Sequence, residues 1–317
     1  MKKPRSVSAA IDYYLTNRRQ LGFALKQEGW VLSTLGQYAR QCHHRGPLTS
    51  QLVLRWAQLP QQAAPLWWAR RLAIARQFAQ FWLAFDPRTQ VPPPGVFGPS
   101  HCRPPVHIYT AAELAALLAA AASLGPPQGM RVATFKTLFG LLAATGLRIS
   151  EALNLRPQDL DAASRTLLIG PSKFSPPRRI PISASTAQAL QTYSQFCQQT
   201  LLQAPRPAFF LNAHAQPLRR DRAEAVFARL RTQLGWTQNP LPRLHDFRHT
   251  LAVKCLVAWN RQAGGVGAKI VALSAYLGHR HVTDTYWYLT AIPELLAASG
   301  ARFEQLANPT TEDQPHA

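Results

Sequence analysis

Residues 145–155 read TGLRISEALNL, and this stretch predicts the end of one helix and the start of another. Apolar residues over 130–144 predict the first helix. Gly146 suits its C-cap, because glycine adopts the left-handed backbone conformation at no steric cost. A short helix is expected to follow, with Arg148 at its start and Glu151 one turn later. The same spacing is typical of a simple ion pair between neighbouring turns.

The chain around this stretch is predicted to be mainly helical with one small β-hairpin, an α+β arrangement. Two short β-rich runs, Thr166–Ile169 and Arg179–Ile182, enclose a polar tip that contains prolines. A capping box at residues 110–113 predicts the start of a helix that ends near Ser123. Helical periodicity predicts the remaining helices over 185–202, 220–234, 245–259, 270–277, 283–288 and 293–305.

A proline-rich segment divides the chain. Residues 86–108 contain seven prolines and almost no apolar periodicity, so they are expected to form an extended linker. Before this segment, helical periodicity recurs over 7–21, 32–42, 48–57 and 67–85. The predicted organisation is a helical domain over 1–87, a linker over 88–108, an α+β domain over 109–307 and a disordered tail over 308–317.

The charge of the chain points to a polyanionic partner. With 35 Lys and Arg against 15 Asp and Glu, the 317 residues carry a formal charge of +20, and the sequence pI is about 10.9. A hydrophobic content of 47% excludes a disordered polycation. Codon bias accounts for arginine in place of lysine but not for the shortage of acids. Nucleic acid is therefore the expected partner.

Several function classes are not supported by the sequence. No uninterrupted apolar stretch predicts a membrane span, and the basic start lacks the apolar core of a signal peptide. Cys42, Cys102, Cys197 and Cys255 lie far apart and are expected to be free thiols in a reducing cytoplasm. An RNA-binding protein would be expected to show aromatic RNP strands or a KH-type GXXG loop, and the sequence has neither.

Three further groups of residues carry chemistry, although each has a simpler interpretation alone. Lys173 lies at the hairpin tip, where most lysines are only solvated. In HDFRH, His245 and Arg248 share one helical face, a pattern also common in helix caps and ion pairs. His279 ends the sequence LGH, and Tyr288 follows nine positions later on a helix that alternatively packs in the core.

Together these residues are the groups needed to attack a phosphodiester without a metal. The guanidinium groups of Arg148 and Arg248 are suited to hold non-bridging phosphate oxygens. A tyrosine hydroxyl is a weak nucleophile until a base accepts its proton, and His245 titrates near neutral pH. Lys173 would protonate the leaving 5′ oxygen. Because the sequence has no cluster with metal-ligand spacing and no glycine-rich phosphate loop, no metal and no cofactor are expected.

At these residues the chain resembles the tyrosine recombinase, or phage integrase, family. The ordered set TGLRISEAL, the KF hairpin, HDFRH, LGH and the later tyrosine carries the resemblance, which covers about residues 1–305. It implies a two-domain DNA clamp, with a helical core-binding (SAM-like) domain followed by a catalytic domain. It also implies that the catalytic residues are Arg148, Lys173, His245, Arg248, His279 and Tyr288. In this scheme His279 hydrogen-bonds the scissile phosphate, and Glu151 supports the site structurally.

Two tyrosines compete for the role of nucleophile. Tyr286 and Tyr288 are two positions apart, which is about 200° around a helix, so only one can face the phosphate. The family spacing after LGH selects Tyr288, and Tyr286 is then expected to pack in the core or against DNA. Asp246 and His249 are expected to serve local packing and hydrogen bonding.

The resemblance also implies partners. Double-stranded DNA would be cut through a 3′-phosphotyrosyl bond, and four protomers on two duplexes would pass through a Holliday junction. The apolar segment 292–306 is expected to form a helix that docks either on a neighbouring protomer or on its own domain. Companion recombinases are possible partners, whereas a membrane and a small-molecule substrate are not expected. Candidate DNA contacts are Arg70, Arg71, Arg76, Arg178 and Arg179.

Several functions within and beside this family stay open. The region TYWYLTAIPELL resembles recombinases of transposons and insertion elements, which favours a mobile element in a bacterial cytoplasm, with the protein on the nucleoid when bound to DNA. A chromosome or plasmid dimer resolvase and an inactive accessory DNA-binding member are the alternatives. A type IB topoisomerase shares the chemistry, so relaxation without strand exchange is also open.

Overall fold

The computed structural model describes residues 6–101, 105–171, 176–201, 206–260 and 267–290. They divide into two compact units with the boundary after residue 104. Within these ranges, no helix is long and apolar enough to cross a membrane. Lys173, the segment 292–306 and the tail from 308 lie outside the described residues.

Four helices form the first unit: α1 (Val7–Gln20), α2 (Lys26–Gln41), α3 (Ser50–Ala57) and α4 (Pro65–Leu83). Ser6 and Thr49 cap α1 and α3 by accepting hydrogen bonds from backbone N–H groups of the first turn. Pro65 begins α4, where its missing N–H costs nothing. The core between the helices contains Trp56 and Phe78, both fully buried. We call this part the helical unit.

Much of the proline-rich segment packs on the helical unit instead of running free as an extended linker. The backbone N–H of Gln90 donates to the Leu48 carbonyl at 2.8 Å, and its side-chain oxygen accepts from the Ser50 N–H at 3.1 Å. The Phe97 ring lies edge-on to Trp68 with centroids 6.1 Å apart. Prolines prevent helix and sheet here, but the apolar residues between them still pack against the surface of the helical unit.

The second unit is called the catalytic unit, after the role that the sequence predicts for it. Its helices are α5 (Ala111–Ala122), α6 (Met130–Thr145), α7 (Ile149–Leu153), α8 (Ala184–Thr200), α9 (Arg220–Gln233), α10 (Asp246–Asn260), α11 (Gly267–Leu277) and α12 (Thr283–Thr290). The α5 capping box at Thr110 and Glu113 is present as predicted. A central core surrounds α6, and a smaller core joins α10, α11 and α12.

A three-stranded antiparallel sheet lies between α7 and α8 in the sequence: β1 (Leu160–Asp161), β2 (Thr166–Ile169) and β3 (Arg178–Pro181), in the order β1-β2-β3. In the register, Leu167 pairs with Leu160 on one side and with Ile180 on the other. The predicted hairpin and the mainly helical α+β class are confirmed. β1 has no signal of its own in the sequence, because two residues are too short to show an alternating pattern.

Candidate active site

The turn between α6 and α7 begins the site, and its shape depends on Gly146. This residue has φ +60°, and an added Cβ would lie 2.9 Å from the Leu251 side chain and 3.3 Å from the Arg248 Cα. Only glycine allows both this conformation and this approach. The Gly146 carbonyl accepts a hydrogen bond from Arg248 Nη1 at 3.2 Å. The turn therefore holds the second arginine of the site directly.

Glu151 is the anionic centre beneath the site. One of its oxygens accepts from Nη1 of Arg148 and of Arg178, each at 3.0 Å. The other accepts from the Arg148 backbone N–H at 3.0 Å and from Arg178 Nη2 at 3.2 Å. Burial alone would raise the pKa of Glu151, but these hydrogen bonds and the two positive charges hold the pKa below its ordinary value. Glu151 is therefore an ionised structural partner of both arginines.

Arg148 projects from the N-cap of α7. Besides Glu151, it contacts the loop after α11, where Nη1 and Nη2 lie 3.4 and 3.3 Å from the Gly278 carbonyl. Gly278 has φ +70°, a conformation that suits the residue after a helix end. The TGLR turn and the LGH turn are thus joined by the first arginine of the site.

Arg248 lies on α10 and is almost fully buried, at 1% exposure. Besides its bond to Gly146, its Nη2 donates to the Leu277 carbonyl at 2.7 Å. Burial, followed by the positive charge of Arg148, lowers the pKa of Arg248 to about 10. The guanidinium remains charged at pH 7. Two mutually repelling cations in one partly desolvated site create a strong preference for an anion.

His279 follows the LGH turn and is oriented by Thr285. Its Nδ1 and the Thr285 hydroxyl oxygen are 2.7 Å apart, and Thr285 is fully buried. Burial and the charges of Arg248 and Arg148 lower the pKa of His279 to about 4. His279 is therefore a neutral hydrogen-bonding group at pH 7 in this structure.

Tyr288 and Tyr286, both on α12, differ in their exposure to solvent. Tyr288 is 3% exposed and stacks on His279, with centroids 6.2 Å apart and 21° between the planes, whereas Tyr286 is 49% exposed. Burial raises the pKa of Tyr288, while the charge of Arg248 and a hydrogen bond from it act in the opposite direction. Of the two tyrosines, Tyr288 shares the site with the arginines. Of the two alternatives for Tyr286, packing in the core is wrong, because its ring faces solvent.

The two histidines of HDFRH differ in exposure. His245 as a residue retains solvent contact, although protein atoms surround much of its ring, whereas His249 is 8% exposed. The rings pack edge-on with centroids 4.7 Å apart, and His249 lies 5.4 Å from the Tyr288 ring. The protein atoms around His245 and the charge of Arg248 lower its pKa to about 4. The expectation that His245 titrates near neutral pH is therefore wrong for this state, in which the ring is neutral.

Asp246 stabilises the start of α10. It is fully buried and accepts three hydrogen bonds from Arg243, from the backbone N–H at 2.8 Å, from Nε at 3.2 Å and from Nη2 at 2.8 Å. A carboxylate at a helix N-terminus is also favoured by the helix dipole. Its packing role agrees with the sequence interpretation.

Two of the predicted DNA contacts have other roles. Arg71 is 7% exposed, its Cζ lies 4.1 Å from the Trp56 ring centroid, and its Nη2 donates to the Trp56 carbonyl at 2.8 Å. Arg178 contacts Glu151 and backbone carbonyls in the interior. Both side chains are too enclosed to meet a DNA backbone, so these two predictions are corrected.

The other three predicted DNA contacts are more accessible to solvent. Arg70 and Arg179 are exposed, and Arg76 is partly exposed. Arg70 Nε also lies 3.4 Å from the Ser100 carbonyl. Their contact with DNA stays a prediction.

Sequence reasoning missed three residues of the site: Arg178 as an internal partner, Thr285 as the partner of His279, and His249 as a ring in contact with Tyr288. Thr285 and Tyr288 are three apart in α12, so helical phase could have placed both on the face that meets His279. Arg178 had no such signal, because its partners are distant in sequence.

The described residues bring together five of the six predicted catalytic side chains: Arg148, His245, Arg248, His279 and Tyr288. The charges of Arg148 and Arg248 act on both histidines and on the tyrosine. Lys173, the sixth, lies outside the described residues. Among the described residues, no group of three or more His, Cys, Asp or Glu side chains is placed to hold a metal ion.

Comparisons with known proteins agree with this geometry. The model of the phage integrase family matches residues 108–294, more than half of the chain. The candidate integrase/recombinase y4rB of Sinorhizobium fredii is 36% identical over 93% of this chain and 96% of its own length. The tyrosine recombinase XerD of Mycobacterium leprae is 32% identical over 56% of this chain and 55% of its own length.

Among solved structures, the Tn1549 transposon integrase in complex with transposon right end DNA matches with a TM-score of 0.69. It covers 94% of this chain and 99% of that chain at 18% identity, which shows a shared fold. The family match, the near full-length relative and the fold lead to one conclusion. The chain belongs to the phage integrase family of tyrosine recombinases, enzymes that cleave and rejoin DNA.

Proposed function

We propose that this protein cuts duplex DNA with Tyr288 as the nucleophile and rejoins it to a different strand. The observation that carries the proposal is the placement of Tyr288, which stacks on the neutral His279 and lies within reach of the charges of Arg248 and Arg148, while Tyr286 faces solvent. In the cleavage step a bond forms between the Tyr288 oxygen and phosphorus, and the bond from phosphorus to the 5′ oxygen breaks. The product is a 3′-phosphotyrosyl bond with a free 5′ hydroxyl.

The two arginines supply the electrostatic part of this reaction. Arg148 and Arg248 would hold the non-bridging oxygens of the scissile phosphate and neutralise charge on the five-coordinate phosphorus. One such donor contributes about 3–4 kcal/mol in comparable sites. Both guanidinium groups are fixed by backbone carbonyls before DNA binds, so little reorganisation is needed.

Proton transfer falls to the histidine and the lysine. A neutral His245 accepts the Tyr288 proton. Burial and the positive charge of Arg248 lower its pKa, and the negative charge of a bound phosphate would raise that pKa again and strengthen the base. His279, held by Thr285, donates a hydrogen bond to the phosphate. Lys173 gives a proton to the leaving 5′ oxygen. In the rejoining step the 5′ hydroxyl of a partner strand attacks the phosphotyrosyl bond, and the bond energy is conserved.

The biological substrate is proposed to be the ends of a transposon or other mobile element. In support, a relative that matches over nearly its whole length bears the name integrase/recombinase, whereas the XerD match covers about half of each chain. Duplex DNA would lie against both units, and four protomers would join two duplexes through a Holliday junction. The segment 292–306 would dock on a neighbouring protomer. Companion recombinases and a bacterial cytoplasmic location belong to the same proposal.

Trapping of the covalent intermediate tests the chemistry. Duplex DNA from the ends of the encoding element, nicked next to the cleavage point, loses the short strand on cleavage and cannot be religated. We expect wild type and Tyr286→Phe to form a denaturant-resistant protein–DNA adduct. In Tyr288→Phe the adduct should fall by more than about 10³-fold, because the nucleophile is missing.

The other outcomes separate the alternatives. Adduct loss only in Tyr286→Phe would keep the reaction and reject Tyr288. Tight binding without an adduct for any end sequence would favour the accessory DNA-binding protein. Relaxation of supercoiled DNA without strand exchange would favour a topoisomerase.

A further inference from the structure

We propose that Arg178 is a positioning residue of the reaction, which fixes Arg148 and His279 for the scissile phosphate without touching the DNA itself. This inference rests on the proposed function, since it assigns Arg178 a role through Arg148 and His279.

One guanidinium group joins three separate parts of the catalytic unit. Arg178 Nε donates to the Tyr276 carbonyl at 2.8 Å, and Nη2 donates to the Leu277 carbonyl at 3.1 Å. Nη1 and Nη2 contact the two Glu151 oxygens at 3.0 and 3.2 Å. The planar fork of arginine can satisfy a carboxylate and two carbonyls at once, whereas a lysine ammonium acts as a point charge.

These contacts form a closed ring of hydrogen bonds and short chain segments through the site. From Arg178 the ring passes through Glu151 to Arg148, and from Arg148 to the Gly278 carbonyl. The chain then returns through Leu277 to Arg178. His279 is the next residue after Gly278, so its backbone position is set by the same ring.

The ring also places positive charge where it is favourable. The Tyr276 and Leu277 carbonyls are at the C-terminal end of α11, where the partial charge of the helix is negative. Arg178 satisfies carbonyls that have no partner within the helix. Without it, the LGH turn would keep Arg248 and Arg148 as its guanidinium partners but would lose the two hydrogen bonds that Arg178 donates from the sheet.

Loss of Arg178 should slow the reaction without weakening DNA binding. Among the described residues, loss of Arg178 leaves Arg148 as the one cation that pairs with Glu151, which draws Arg148 toward the carboxylate and away from the phosphate. Displacement of a catalytic group by about 1 Å costs on the order of 10²-fold in rate. DNA affinity should hardly change, because Arg178 is enclosed and makes no phosphate contact.

The experiment compares Arg178→Lys and Arg178→Gln with wild type on the nicked duplex. At saturating protein we expect the rate constant of adduct formation to fall about 10²-fold in both variants, with DNA affinity within about threefold of wild type. Arg231→Lys is the matched control. Arg231 also donates to a backbone carbonyl, that of Pro242 at 3.1 Å, but lies outside the site. Its rate should stay at the wild-type value.

A second substrate distinguishes positioning from general loss of structure. A methylphosphonate at the scissile position is uncharged, so neutralisation by Arg148 matters less. The defect of the Arg178 variants should therefore shrink to about fivefold or less on this substrate, as should that of Arg148→Ala. Equal defects on both substrates, or wild-type rates in both variants on the ordinary phosphate, would overturn the positioning role. Absence of an adduct in wild type would instead reject the proposed function.

Discussion

Arg71 in the helical unit and Arg178 in the catalytic unit are both enclosed cations that the sequence placed on DNA, yet the two units stabilise them differently. Arg71 lies against the face of Trp56 and donates to one carbonyl. Arg178 lies against the carboxylate of Glu151 and donates to two carbonyls. Among the described residues, no carboxylate forms a salt bridge with Arg71.

The difference teaches that a buried arginine has two separate energetic roles. Against an indole ring it contributes packing and a cation–π contact, and an apolar side chain of similar length can replace much of that. Against a shared carboxylate the arginine neutralises a buried negative charge. Removal of either the arginine or the carboxylate then leaves the opposite charge buried without compensation. The catalytic unit should therefore tolerate substitution less well than the helical unit.

The largest effect is expected from Glu151→Gln. The substitution keeps the shape of the side chain but removes the negative charge between Arg148 and Arg178. Breaking a buried ion pair typically costs about 3–5 kcal/mol, and we expect a loss of that order in the free energy of unfolding, measured in urea. Asp221→Asn is the control, because the Asp221–Arg219 pair at 2.9 Å is exposed and should be worth at most about 1 kcal/mol. Equal effects of the two substitutions would contradict the comparison.

A smaller effect is expected from Arg71→Met. Methionine keeps the apolar stem against Trp56 but loses the cation–π contact and one hydrogen bond, a cost of about 2 kcal/mol together. The salt dependence of DNA binding should not change, because Arg71 releases no counterions from phosphate. The exposed Arg70 is the matched control. If Arg70 contacts a phosphate, Arg70→Met should reduce the slope of log K against log salt by about 1. A reduced slope in Arg71→Met would restore its predicted DNA contact.

The parts of the fold that the sequence predicted are those with local signals. The α5 capping box depends on Thr110 and Glu113, three residues apart, and the α6 C-cap depends on Gly146 alone. The order of the motifs was enough to name the family. Exposure of Tyr286 and burial of Tyr288 follow from helical phase once the nucleophile is chosen.

The parts that the sequence did not predict depend on distant partners. Arg178 bonds to Glu151, 27 residues earlier, and to Tyr276, 98 residues later. Arg71 meets Trp56 across two helices. A single sequence shows a cation but not whether a ring, a carboxylate or DNA lies opposite. The low pKa of His245 was missed for the same reason, since it comes from the burial that folding creates and then from the charge of Arg248.

Acid extends the comparison to histidine. His249 in the catalytic unit is buried, and burial with the charge of nearby groups, His245 first, lowers its pKa to about 3. In the described part of the helical unit, no histidine is buried. Between pH 6.5 and 3 the unfolded chain binds a proton at residue 249 that the folded chain does not, so stability falls as the pH is lowered.

The expected slope is up to about 1.4 kcal/mol per pH unit from this group. Hydrogen exchange followed by mass spectrometry, corrected for intrinsic rates, should show protection lost at pH 5 in peptides of residues 105–290 before peptides of residues 6–101. His249→Phe should reduce that dependence, whereas His214→Gln, on an exposed loop, should leave it unchanged. Among the described residues, only the catalytic unit contains a buried histidine, His249. Equal loss of protection in both units would therefore mean that the acid sensitivity of the protein does not come from His249.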